Sequence, residues 1–84
     1  MANRTSPREQ LAAEERRLQA GLRNIRLGRG LRQADIARQL DRPQSFVSKY
    51  ESGERLLTAV ELGRVCRALG VPVGRVLGND LTVF

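Results

Sequence analysis

The chain has 84 residues, 15 basic against 9 acidic for a formal charge of +6, no His, one Cys and an aromatic fraction of 4%. Such a length holds one small core, and without an imidazole or a second thiol beside Cys66 there is no structural zinc set, internal disulfide or histidine base, so no enzyme and no cofactor is expected. No uncharged apolar stretch is long enough to span a bilayer, and Met1-Ala2-Asn3-Arg4 leads into no hydrophobic segment, so the expectation is a cytoplasmic protein with neither signal peptide nor membrane partner.

With only Phe46, Tyr50 and Phe84 aromatic, the core must come from Leu, Ile, Val and Ala, a supply that suits helices. Residues 1–6 are expected to be disordered. Ser6-Pro7-Arg8-Glu9 is a capping box with Pro at the first helical position, which starts a first helix at Pro7. Leu11, Leu18, Leu22 and Ile25 fall on one stripe of that helix until Gly28-Arg29-Gly30 stops it. Gly21 costs about 1 kcal/mol against Ala inside the stripe, so one continuous helix and two shorter ones are both open. Ala34, Ile36, Ala37 and Leu40 place a short second helix over 33–40, ended by Asp41-Arg42-Pro43, and a third runs from about Pro43 to Glu51. Residues 52–55 are loop. Thr58-Ala59-Val60-Glu61 is a second capping box, with Leu57 and Leu62 as its hydrophobic staple. It opens a fourth helix whose stripe is Leu62, Val65, Cys66 and Leu69 and whose stop is Gly70. Val71-Pro72 begins a last helical turn through Leu77. The tail 78–84 alternates weakly and ends on an apolar residue. The fold expected is an all-α compact bundle of about five helices forming one domain over 7–77.

Two short helices joined by the turn 41–43 make a helix-turn-helix over residues 33–52. Ile36, Leu40, Val47 and Tyr50 stand where its helices must bury side chains, and Ala37 where they cross too closely for bulk. The run Gln33-Ala34-Asp35-Ile36-Ala37, followed by Pro43-Gln44-Ser45-Phe46-Val47-Ser48-Lys49-Tyr50-Glu51-Ser52-Gly53, resembles the helix-turn-helix family of phage Cro and lambda-type repressors over roughly residues 21–77. The resemblance implies a lambda repressor-like DNA-binding domain and an ion pair between Arg26 and Glu51, although helix-surface charges are also commonly just solvated. Two positions depart from the family. Asp41 replaces the usual turn Gly, which Asp tolerates because it enters the left-handed region more readily than most residues. Arg32 replaces a small hydroxyl cap, a loss of about 1 kcal/mol that Asp35 partly offsets at the positive end of the helix dipole.

A positive chain attracts nucleic acid, anionic membrane or acidic protein alike. The third helix chooses among them. Its wheel collects Pro43, Val47, Tyr50 and Glu51 on one side and Ser45, Ser48, Lys49 and Ser52 on the other. The second set, short and rich in donors, fits a major groove about 12 Å wide. Gln44 can contact adenine through both amide groups, Lys49 can donate to guanine, and Ser45 and Ser48 can serve bases or phosphates. Phe46, at the margin, has two open roles: packing on Tyr50, or apolar contact with a thymine methyl. The resemblance implies that Gln33 donates to a phosphate, at a helix terminus that favours an anion. Arg32, Arg42, Ser52 and Arg55 flank the third helix as further phosphate donors. Cys66 is read as core.

The function expected is a sequence-specific double-stranded DNA-binding transcription regulator, a repressor or autoregulator acting as a homodimer on a palindromic operator. Phage repressors, restriction-modification controller proteins and antitoxins all fit. The dimer interface is placed at Val73, Val76, Leu81, Val83 and Phe84, because the resemblance puts it next to the last helices; the start of the first helix near Leu11 is the second choice. The alternative of another class is a protein-interaction module, such as an antitoxin holding a toxin partner. RNA is disfavoured by the lack of an aromatic stacking platform.

Overall fold

Five helices, in a computed structural model that describes residues 6–78, account for most of that span: α1 Pro7–Gly28, α2 Gln33–Leu40, α3 Gln44–Ser52, α4 Ala59–Leu69 and α5 Val73–Leu77. There is no strand among the described residues, as expected of an all-α bundle. Residues 1–5 and 79–84 lie outside the description, and with them most of the expected disordered N-terminus, the tail after Gly78, and Leu81, Val83 and Phe84.

The helix starts follow their caps. Ser6 Oγ accepts from the Glu9 N–H at 3.1 Å while the Glu9 carboxylate accepts from the Ser6 N–H at 2.8 Å. Thr58 and Glu61 repeat the reciprocal pair at 3.1 and 2.9 Å. Each box satisfies two backbone N–H groups left free by helix geometry. Arg32 makes no side-chain cap, and only half a box forms at α2, where the Asp35 carboxylate accepts from the Arg32 N–H at 2.8 Å. Pro43 is the N-cap of α3 rather than its first residue: its carbonyl accepts from Phe46 N–H at 2.9 Å, and the helix runs one residue past Glu51 to Ser52.

The helix ends also share a device. Leu31 N–H reaches back to the Arg26 carbonyl, Arg42 N–H to Ala37 and Val71 N–H to Cys66, each at 3.0 to 3.1 Å. Such a bond needs a left-handed residue just before the donor. Gly30 and Gly70 fill two of these places, and in α2 it is Asp41, with φ 56° and ψ 46°.

α1 passes unbroken through Gly21. The packing of Leu22, fully buried, and of Leu18 and Ile25 against the core outweighs the helix penalty of about 1 kcal/mol for one Gly. Leu11, on the same stripe, is 56% exposed, because the first turns of α1 have no packing partner among the buried residues. The core joins Leu22 to Ile36, Ala37, Phe46, Val47, Tyr50, Leu62, Val65, Cys66, Leu69 and Val71. Every helix but α5 contributes to it, and α3 packs its inner side on α2 and α1.

Candidate nucleic-acid interface

Burial divides α3 sharply. Phe46, Val47 and Tyr50 are buried, and Gln44, Ser45, Lys49 and Ser52 are exposed, with Ser48 half-buried between them. Ala37 of α2, 3% exposed, sits under the crossing. The exposed face carries an amide, hydroxyls and an ammonium and no apolar side chain. Its hydroxyls are held in place: Ser48 Oγ donates to the Ser45 carbonyl at 3.2 Å and Ser52 Oγ to the Lys49 carbonyl at 3.1 Å. Ser52 Oγ also accepts from the Glu54 N–H at 3.3 Å.

Phe46 is not on this face. It is 6% exposed and meets Tyr50 edge-on, with ring centroids 5.6 Å apart, so of its two expected roles the structure shows packing. The residue lies at the margin of the wheel, and its ring is covered by two arginines from outside the helix: the guanidinium carbons of Arg42 and Arg55 stand 4.6 and 4.8 Å from the centroid.

Behind the face a relay of side chains runs from solvent into the core. Gln44 donates to Gln33 Oε1 at 3.3 Å, Gln33 donates to Glu51 Oε1 at 3.0 Å, and Glu51 takes Arg26 Nε and Nη2 at 2.7 and 3.0 Å. Arg26 also donates to the Leu31 carbonyl at 2.9 Å. The Arg26 and Glu51 side chains are 8% and 3% exposed, and the charge-assisted bonds to Glu51 hold the guanidinium above its ordinary value. A charge pair this dry must have its hydrogen bonds completed, and the Leu31 carbonyl and Gln33 supply them. α1 is thereby tied to the last turn of α3, and Gln44 and Gln33 are aligned on the solvent side of the same chain. A second close approach reinforces the junction. Gly53, with φ +86°, caps α3 where an added Cβ would lie 3.0 Å from Gln19 Oε1 of α1.

The flanking candidates differ in how free they are. Arg32 is 74% exposed and paired with Asp35 at 3.0 Å. That bond, with the Arg32 backbone N–H, lowers the Asp35 carboxyl to about 2. Together Arg32, Gln33 and Gln44 border a shallow concavity with Gly30, Leu31 and Ala34 at the N-terminus of α2, where the helix dipole favours an anion. Ser52 is exposed at the other end of α3. Arg42 and Arg55 both engage Glu61: Arg55 makes two bonds at 2.9 and 2.8 Å, Arg42 one at 3.3 Å. Arg55 is more committed, because it also donates to the Leu56 carbonyl at 3.0 Å. Its guanidinium and the Thr58 N–H hold Glu61 at about 2, well below the usual carboxylate range. The sequence marks Glu61 only as a capping residue. Nothing local signals that arginines from two other segments converge on it.

Among the described residues no His, Cys, Asp and Glu cluster could hold a metal ion, and no helix is long and apolar enough to cross a membrane. Cys66 is buried and unpaired, with its thiol pushed up by desolvation.

A family model described as a helix-turn-helix domain matches residues 15–77. The chain is similar to the solved structure of an XRE-family like protein from Pseudomonas syringae pv. tomato str. DC3000: 36% identity over 83% of this chain and 85% of that one, with a TM-score of 0.80. It is also similar to the clp gene regulator ClgR from C. glutamicum, at 31% identity over 76% of this chain and 82% of that one, with a TM-score of 0.71. No curated protein matches.

Proposed function

The chain belongs to the XRE/Cro-type helix-turn-helix family of DNA-binding transcription regulators, and on that premise we propose that it reads a palindromic operator as a homodimer, acting as a repressor or autoregulator with α3 in the major groove. The observation that carries this reading is the division of α3: every apolar side chain is turned inward, and what remains outside is Gln44, Ser45, Lys49 and Ser52. A major-groove helix needs short donors and acceptors on a rigid support. Gln44 reads a base with its amide fixed by Gln33, Lys49 reads guanine, and Ser45 and Ser48 add contacts of lower selectivity. Arg32, Gln33, Arg42, Ser52 and Arg55 border the helix as the phosphate set, of which Arg32 is the most exposed of the arginines paired there.

One reading helix covers only a few base pairs, so selection within a genome calls for two half-sites about 34 Å apart, the spacing a two-fold dimer provides. Val73 and Val76 pack inward against the core, and α5 presents Leu77, 40% exposed, on its outer side. The proposed interface therefore centres on Leu77 and the apolar residues that follow it, Leu81, Val83 and Phe84. Deleting 81–84 should leave a folded protein that sediments as a monomer; an unchanged dimer moves the interface to the start of α1, where Leu11 is 56% exposed.

Selection of bound duplexes from random DNA tests the reading as a whole. It is expected to enrich an inverted repeat whose binding weakens with a slope of log K on log salt of roughly −5 to −7, for three or four charged phosphate contacts per half-site. A slope near zero, or no enriched sequence, removes DNA recognition.

A further inference from the structure

α3 is held at its inner end by Glu51, and a second carboxylate reaches both of its flanks. Glu61, in the first turn of α4, accepts from the Thr58 N–H, twice from Arg55 in the loop after α3, and once from Arg42 in the turn before α3. The two guanidinium groups it gathers both lie over the ring of Phe46, which α3 itself contributes. Two cations on one ring repel each other unless an anion stands between them, and Glu61 is the acid bonded to both.

The two arginines are used unequally. Arg55 spends its Nη groups on Glu61 and the Leu56 carbonyl. Arg42 gives one Nη2 bond, remains 46% exposed, and keeps most of its five donors for something else. Stacking fixes the plane of its guanidinium and Glu61 fixes its position, at the N-terminal flank of α3 where the DNA backbone runs if α3 enters the groove.

We propose that Glu61 is a positioning residue for DNA recognition: by clamping Arg42 and Arg55 over Phe46 it locks both ends of α3 to α4 and presents Arg42, already oriented, to a phosphate. The proposal rests on the operator reading above and adds a role for a residue that touches no DNA. A carboxylate near a phosphate lowers general attraction to DNA, so its benefit must lie in selectivity. With Glu61 present, Arg42 meets the backbone only in the register that α3 requires. Without it, Arg42 and Arg55 gain net positive charge and lose their common anchor, and any duplex can attract them.

Glu61→Gln isolates this role, since glutamine still accepts from the Thr58 N–H and keeps the helix cap. Affinities for the selected operator and for a random duplex are measured on wild type, Glu61→Gln, Arg42→Ala and the double variant, together with 15N resonances of the arginine Nε groups in the free proteins. The ratio of operator to random-duplex affinity should fall about ten-fold in Glu61→Gln, with random-duplex binding equal or tighter. In Glu61→Gln the Arg42 Nε signal should move toward that of a solvated arginine, and in the Arg42→Ala background the same change should lower the ratio less, since only Arg55 is then released. An unchanged ratio, tighter operator binding, an undiminished loss without Arg42, or an unmoved Arg42 signal each overturns the proposal. A wild-type protein that enriches no duplex is a different failure, visible before any variant is made, and takes the operator reading with it.

Discussion

Two carboxylates bond the arginines around α3, one in the core and one at the surface, and the contrast shows how the same pair of residue types serves two ends. Glu51 meets Arg26 where both side chains are less than a tenth exposed, with every bond of the relay completed by Leu31 or Gln33. Glu61 meets Arg42 and Arg55, which are 46% and 37% exposed. Water and salt screen the second cluster and barely reach the first. Buried pairs are strong only as units, because breaking one leaves a charge with no solvent. Exposed clusters yield little stability and can be rearranged by an incoming polyanion. The core pair is suited to fix the angle of α3, and the surface cluster to orient the side chains around it.

The largest expected effect lies on the buried side. Glu51→Ala strands the Arg26 guanidinium and should cost about 3 to 5 kcal/mol in urea melts; Glu51→Gln, which keeps an acceptor, should cost less. A loss under about 1 kcal/mol for Glu51→Ala would make the two sites alike and erase the comparison.

A smaller effect separates them by salt. Raising the salt to about 1 M shortens the screening length to roughly 3 Å. The deficit of Glu51→Ala should survive that change, whereas any stability deficit of Glu61→Gln should shrink. Deficits that shrink equally would mean Glu51 is as solvated as Glu61.

The smallest effect appears in acid. Glu61 falls from 4.5 to about 2 and Asp35 from 3.8 to about 2 on folding. A carboxyl with a depressed folded value contributes stability that is complete above its unfolded value and is lost as the pH falls toward the folded one. Urea midpoints should therefore decline as the pH drops from about 4.5 toward 2, and Glu61→Gln should flatten part of that decline. An identical slope in the variant would remove Glu61 from the acid response.

Much of this architecture is legible in the sequence because helix ends are local chemistry. Ser6 and Glu9, Thr58 and Glu61, and Asp41 in its left-handed turn all act within a few residues of themselves, so the five helices can be read directly. The exposed face of α3 is legible for the same reason. What is hidden depends on where other segments end. Leu11 shares the stripe of Leu22, but periodicity names a face and not whether anything packs on it. Phe46 is covered by Arg42 and Arg55, whose reach across the helix no wheel displays. Glu61 reads as a cap, and its second role needs partners from two other loops.

The claim that α3 reads bases is tested most directly by repeating the duplex selection with Gln44→Ala, Lys49→Ala and Arg32→Ala. The account predicts that the first two lose about 1 to 3 kcal/mol of preference at one position in each half-site, and that Arg32→Ala weakens every sequence alike with the motif intact. Equal, sequence-independent losses from all three would contradict it and take the reading role away from α3.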